Sequence, residues 1–430
     1  MDYLERRLEG HSNLESVALP VVALLRRLLD EPSVQERRSH PFHVPEPPPR
    51  VKDDSFVADV VANQSGGRVW RVGPAEAIRT IAEVSRLARD GDTVQIVAGE
   101  YRGDVAVWLQ KRLIIRGIHG NARLFADGGS AEGKAIWVIR DGEFTVSNID
   151  FIGVHVEDRN GAGIRFENGH LIVRNCLFWG SESGLLTSSS AEQSQARLEI
   201  ENSEFAYNGY GDGLSHHIYV GAIGSLRITG SYFHHGNVGH LIKSRAALNE
   251  IRYNRITDQQ GGRASYEVDF PNGGIAVLVG NVIQQSRETE NPTLIAFGEE
   301  GYKWPENRIY LMSNTMVNDQ PYGGAFLRVA PGADSVISAN NVLSGRGAYH
   351  TSDLNQSLND VTGDSSLFVD ANRYDYRLSE SGQKLTFQKP VISTYRSLAL
   401  DLRAEYIHPR QVRALVSPPA FPGAVQALQP

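Results

Sequence analysis

Two short stretches hold most of the reactive side chains in the middle of this chain. "HLIKSR" (240–245) and "SYEVDF" (265–270) alternate like strands, and each sets two like charges two residues apart: Lys243 with Arg245, and Glu267 with Asp269. On an extended strand, residues two apart share a face. A lysine beside an arginine can take a proton while the guanidinium fork grips a carboxylate, since the neighbouring positive charge favours the neutral amine. Two carboxylates ~6.5–7 Å apart along one strand face leave room for a water between them, as inverting hydrolysis of a glycoside requires. Five of the thirteen histidines (His216, His217, His234, His235, His240) fall in the same region, with Tyr207, Tyr210, Tyr219, Tyr232 and Tyr266 nearby. Aromatic and charged side chains concentrated in this way suit a sugar-binding groove. His217 and His235 could converge on a metal, but no helical histidine pair with a carboxylate partner is present. Calcium fits better, because Asp212, Glu267, Asp269 and the carbonyls of "PNGG" (271–274) supply hard oxygen donors.

These side chains need elements to position them, and the sequence supplies a repeat. "FTVSNIDF", "LIVRNCLF" and "LEIENSEF" place Asn148, Asn175 and Asn202 at intervals of 27 residues. Gly230 follows after 28, then Asn254, Asn281, Asn314 and Asn341 after 24, 27, 33 and 27. Such a period marks a solenoid, and units holding two or three short apolar strands exclude the helical repeats, while propeller blades need longer units. A parallel β-helix remains, with Asn at tight corners where it tolerates left-handed backbone and stacks into amide ladders. The expected fold is therefore all-β: a single-stranded right-handed parallel β-helix of about ten coils over residues 92–350. Residues 74–92 read as an amphipathic helix that caps the open first coil, within a lead-in segment 51–91. Residues 1–39 read as helix, followed by the proline-rich connector "HPFHVPEPPPR", so 1–50 forms an N-terminal extension. Residues 351–430 are expected as an irregular tail packed along the β-helix.

Composition narrows the partners. A net charge of −7 argues against a nucleic-acid protein. The most apolar early run, "VALPVVALL", is far short of the ~20 residues of a membrane span. No export signal is visible, so a cytoplasmic chain fits, as does an exported chain whose leader has been removed. The lone Cys176 excludes an internal disulfide framework and a cysteine-based zinc site.

"GDTVQIVAGEYRGDV" (91–105), the Asn-punctuated coils and "SLFVDANRYDYRLSESG" (366–382) resemble right-handed parallel β-helix proteins of the pectin-lyase-like superfamily over roughly residues 65–385. "GHLIKSRA" and "ASYEVDFPNGG" are also similar to stretches of bacterial β-helix proteins to which no activity attaches. With the coils in register, Tyr219, Lys243 and Glu267 are expected in one outward row, with Arg245 and Asp269 beside them; Tyr266 and Val268 face inward. The resemblance implies a carbohydrate-active protein. Its first reading is a polysaccharide lyase or C5-epimerase acting on an acidic, uronate-containing polysaccharide, with Lys243 as base, Arg245 on the substrate carboxylate, and Tyr219 or His217 as proton donor. Arg165, His240, Glu267, Asp269 and Arg328 would line the substrate. A second reading is hydrolysis by Glu267 and Asp269, although the triple-Asp pattern of polygalacturonases is absent and nearby cations oppose a raised acid pKa. A third is a non-catalytic glycan-binding or structural β-helix. The plain alternative is that opposite charges on adjacent strands merely stabilise the sheet. No certain cofactor follows from these readings; calcium is the one candidate.

Overall fold

The structure, a computed structural model, describes residues 41–49, 66–187 and 195–427. The helix expected over 1–39 lies outside the described residues. The rest is a parallel β-solenoid. Each coil contributes two short strands to a 21-stranded sheet and one strand to a ten-stranded sheet. All pairings between coils are parallel, so the chain is the parallel β-helix expected from the repeat. A parallel sheet buried on its inner face demands stacks of like side chains. Phe151, Phe178, Phe205 and Phe233 form one such stack, with ring centroids 5.0, 4.4 and 4.9 Å apart. The first three end the repeated "NxxF" blocks, and Phe233 ends the corresponding "GSYF".

The corner asparagines are two series rather than one. Asn148, Asn175 and Asn202 sit in the left-handed region with φ of 60°, 48° and 48°. From Gly230 onward that seat passes to Tyr253, Gly280, Ser313 and Asn340, and the repeated Asn moves one place along. There it builds a buried ladder. The Asn254 N–H donates to Asn281 Oδ1 at 3.0 Å, the Asn281 N–H to Asn314 Oδ1 at 3.0 Å, and the Asn314 N–H to Asn341 Oδ1 at 2.7 Å. Upstream, Ser231 and Ser203 fill the ladder seat, their hydroxyls accepting from the Ser203 and Cys176 N–H groups. The change of seat falls in the interval of 24 between Gly230 and Asn254, since Asn202 and Gly230 share the left-handed seat.

The first coil is capped by a helix, but a shorter one than expected: α1 spans Ile81–Leu87. The Asp104 carboxylate accepts from the Ile81 and Ala82 N–H groups at 2.6 and 2.8 Å, which fixes the first turn there rather than at Pro74. Ile81 and Val84 bury into the solenoid core. Residues 41–49 lie on the β-helix, with Trp179 Nε1 donating to the Pro45 carbonyl at 2.9 Å and Phe42 packed against Tyr207. Strands of the large sheet run on to Gly363, and the tail beyond forms small hairpins that pack through Leu400 and Leu402 on Val277 and Val279. Among the described residues no helix is long and apolar enough to cross a membrane.

Candidate functional site

The ten-stranded sheet presents the charged residues, through strands β1 (Ala162–Phe166), β2 (Ser183–Thr187), β3 (Ile218–Val220), β4 (Ile242–Ser244), β5 (Val268–Phe270), β6 (Thr293–Phe297) and β7 (Ala325–Val329). Apolar residues at alternate positions turn inward: Ile164, Leu185, Ile218, Ile242, Val268, Ile295 and Leu327 stack on one another. The residue after each then faces out, giving one row along the solenoid: Arg165, Leu186, Tyr219, Lys243, Asp269, Ala296 and Arg328. The partner of Lys243 is thus Asp269, where Glu267 was expected. A two-residue slip keeps every inward position apolar, so the alternation alone does not detect it.

Glu267 precedes β5 and does not follow its alternation. It is fully buried, and burial, reinforced by Asp258, pushes its carboxyl well above the usual carboxylate range. Gln285 Nε2 donates to Glu267 Oε2 at 3.3 Å. His217 occupies the equivalent interior position two coils earlier, 1% exposed, with Nε2 at 2.8 Å from the His234 carbonyl; burial holds its pKa at about 3. Both had been expected to face out. The fault lies in extending a strand's alternation into the corner, where two successive residues turn inward: His217 with Ile218, and Glu267 with Val268. The residues one place earlier take the outward positions instead. His216, His240 and Tyr266 form a second ladder beside the first, with ring centroids 4.6 Å apart between the histidines and 4.8 Å between His240 and Tyr266. The His240 N–H donates to His216 Nδ1 at 2.9 Å. Tyr266 had been expected inward and is half-buried here.

The two ladders meet at Asp269. His240 Nδ1 lies 3.2 Å from Asp269 Oδ2, out of line for a hydrogen bond, and Lys243 Nζ lies 3.7 Å from the same oxygen. Burial pushes the Asp269 carboxyl up to about 7 although Lys243 and Arg245 pull it down. Burial likewise drives His240 well below its ordinary value, with Lys243 adding to the effect. The pair near neutral pH is therefore a neutral imidazole against a carboxyl that holds its proton part of the time. The expectation that nearby cations would keep this acid's pKa low is corrected: loss of hydration outweighs them.

Arg245 extends from the end of β4. Its Nε donates to Tyr219 Oη at 3.0 Å, its guanidinium also bonds Asn272 Oδ1, and a third nitrogen donates to Glu300 Oε2 at 2.6 Å. Lys243 Nζ donates to the other oxygen of the same carboxylate, Glu300 Oε1, at 3.0 Å. Burial pushes Glu300 up, but these two cations outweigh it and hold the carboxyl below its ordinary value. The sequence reading counted His216 among the clustered histidines and Asn272 within "PNGG" but gave neither side chain a role, and it missed Glu300. A signal for Glu300 was present in the interval of 33 residues between Asn281 and Asn314. Ten residues separate β6 from the next strand where the preceding coil uses four, and that six-residue excess is the loop carrying Glu300 over the site. Arg165 and Arg328 lie on the row but three coils to either side of Lys243.

The donors expected to share calcium do not converge. Asp212 accepts from the Leu214 N–H of its own turn at 2.9 Å, Glu267 faces the interior, and Asp269 lies between His240 and Lys243. Among the described residues no three His, Cys, Asp or Glu side chains gather as a metal site requires. The donor set does not fit a protein-held calcium.

No protein-family profile matches the chain, and no curated protein matches it. Among solved structures it is similar to the pectate lyase Pel9A, at 12% identity and a TM-score of 0.52, over 77% of this chain and 94% of that one. The likeness is one of fold: both chains are parallel β-helices.

Proposed function

We propose that the chain binds an acidic, uronate-containing polysaccharide along the outward face of its ten-stranded sheet and removes the proton α to a bound carboxylate, as a lyase or a C5-epimerase does. One observation carries the reading: a single carboxylate, that of Glu300, is held at once by Lys243 and by Arg245. A sugar carboxylate in that place would have its charge gripped by the guanidinium and its α-carbon within reach of the lysine. Lys243, having released its own extra proton to solvent, then takes the C5 proton, and the negative charge that develops stays on the carboxylate that Arg245 holds. A second proton goes to the leaving O4 in a lyase, or back to the opposite face of C5 in an epimerase. Tyr219, bonded to Arg245, and the partly protonated Asp269 are the groups beside that position. His240, buried beside Asp269 and out of line for a hydrogen bond with it, is given no proton to move. The likeness of fold to a pectate lyase adds an analogy for the substrate class.

The hydrolytic reading with Glu267 and Asp269 is withdrawn, because a carboxyl sealed in the interior cannot flank a glycosidic bond. A non-catalytic glycan-binding role is favoured by one observation, that both cations are already ion-paired in the resting chain. The test is a panel of acidic and neutral polysaccharides assayed for ultraviolet absorbance of unsaturated uronate ends, for reducing ends and for binding. Absorbance on an acidic polymer is the expected result. Binding without turnover would leave the glycan-binding role, and reducing ends without absorbance would sink the proton-abstraction reading.

A further inference from the structure

The loop that delivers Glu300 is tied down at its backbone. The Glu300 N–H donates to the Pro271 carbonyl at 2.9 Å, and the Lys303 N–H to the Asn272 carbonyl at 3.0 Å. Asn272 Nδ2 donates to the Gly301 carbonyl at 3.0 Å, and Tyr302 Oη to the Ala330 carbonyl at 2.6 Å. Trp304, farther along, donates from Nε1 to the Arg245 carbonyl at 3.0 Å. The loop is thus braced against the preceding coil, against the following one and against the backbone of Arg245 itself. Within the ion-paired cluster the Glu300 side chain is the one nearest solvent: it is 46% exposed, against 13% for Lys243 and 19% for Arg245. Turning this one side chain into solvent releases both cations from Glu300 without moving the loop, and leaves Lys243 beside Asp269 and Arg245 on Tyr219 and Asn272.

We propose that Glu300 is a built-in stand-in for the substrate carboxylate, so that the site opens only to a ligand whose own carboxylate replaces it across Lys243 and Arg245. Glu300 is in this sense a specificity-determining residue. A neutral sugar offers nothing to exchange for two charge-assisted hydrogen bonds, whereas a uronate restores both. The ligand class is therefore a sugar with a carboxylate on the ring, and the exchange lowers the apparent affinity in return for rejecting uncharged glycans. This inference rests on the uronate-binding reading above but is tested apart from turnover.

The experiment uses the full chain, its Glu300→Gln variant and its Glu300→Ala variant, with glucuronate and with its neutral counterpart glucose as probes. Binding is read by calorimetry and by the shift in melting temperature. Glutamine keeps the size and removes the charge, and alanine removes the carboxylate altogether, so a folding defect in one leaves the other informative. Both variants should bind glucuronate about tenfold or more tightly than the natural chain does, with glucose unchanged. Adding Arg245→Ala to either variant should abolish the gain. Equal or weaker glucuronate binding by both variants would overturn the stand-in role and make Glu300 a brace for the two cations. The polymer assay fails separately: no turnover or binding of acidic polymers would sink the polysaccharide reading, while the glucuronate comparison still decides what Glu300 does.

Discussion

At the scale of single residues, Lys243 and Asp269 make opposite demands on the surrounding medium. Lys243 reaches a half-exposed carboxylate, so its replacement removes an ion pair worth little. Lys243→Ala should change stability by no more than about 1 kcal/mol while lowering turnover about 10²–10⁴-fold. Arg245→Ala should weaken binding of an acidic oligosaccharide about 10–100-fold and lower the rate as well. Rate, affinity and melting temperature measured together separate these effects, and near-normal turnover by Lys243→Ala would remove it as the base. Asp269 is buried, and its carboxyl is raised from 3.8 to about 7. The folded state then binds a proton more tightly than the unfolded state does. The resulting stabilisation is full below about pH 4 and is lost as the pH rises to about 7. Asp258, also raised to about 7 by burial, follows the same course. Asp269→Asn, which cannot ionise, should flatten the fall in melting temperature between pH 4 and 7 without abolishing the part due to Asp258 and Glu267. An unchanged slope would show that Asp269 does not hold its proton in the folded chain.

At the scale of elements, the corner of each coil offers two seats with different energetics. Asn281 sits in the ladder, where its Oδ1 accepts from the Asn254 N–H and its Nδ2 donates to the Ile251 carbonyl at 2.7 Å, all buried. Asn281→Ala strands a buried donor and a buried acceptor and should cost roughly 2–4 kcal/mol. Asn202 occupies the left-handed seat and is exposed, so Asn202→Ala loses only a backbone preference of about 1 kcal/mol. Chemical denaturation of the two variants should rank them in that order, and equal losses would mean that the ladder is not the stronger device. The capping helix shows the same dominance of local hydrogen bonding: Asp104, from the first coil, sets where α1 begins.

At the scale of the whole molecule, the solenoid acts as a ruler. Arg165 and Arg328 stand three coils to either side of Lys243, ~14 Å away in each direction at ~4.8 Å per coil. A pyranose unit is about as long as one coil is high. Affinity for uronate oligosaccharides should therefore keep rising as the ligand lengthens towards both arginines, then level off. Arg165→Ala and Arg328→Ala should weaken long oligomers several-fold and leave a disaccharide unaffected. Titration of an oligomer series against the three proteins checks this, and a plateau already at the disaccharide would confine the site to Tyr219, Lys243, Arg245 and Asp269.

What the sequence by itself determined was the solenoid, because each coil repeats its apolar strands and its corner residue, and a repeat that cannot bury its own face must stack. It also determined that Tyr219, Lys243 and Arg165 face outward, since each lies within a strand between apolar residues or, for Lys243, between Ile242 and the small Ser244. Tertiary structure decided the rest. The pairing of Lys243 with Asp269 depends on how many residues the turn before β5 absorbs, and a slip of two leaves the hydrophobic pattern intact. The inward turn of His217 and Glu267 arises at corners, where backbone direction changes and alternation lapses. The raised carboxyl of Asp269 depends on how completely its neighbours exclude water, and the place of Glu300 on a loop 55 residues beyond Arg245 depends on coils stacking side by side. None of these is a property of neighbouring residues in the chain; each is a property of what the stacked coils bring together.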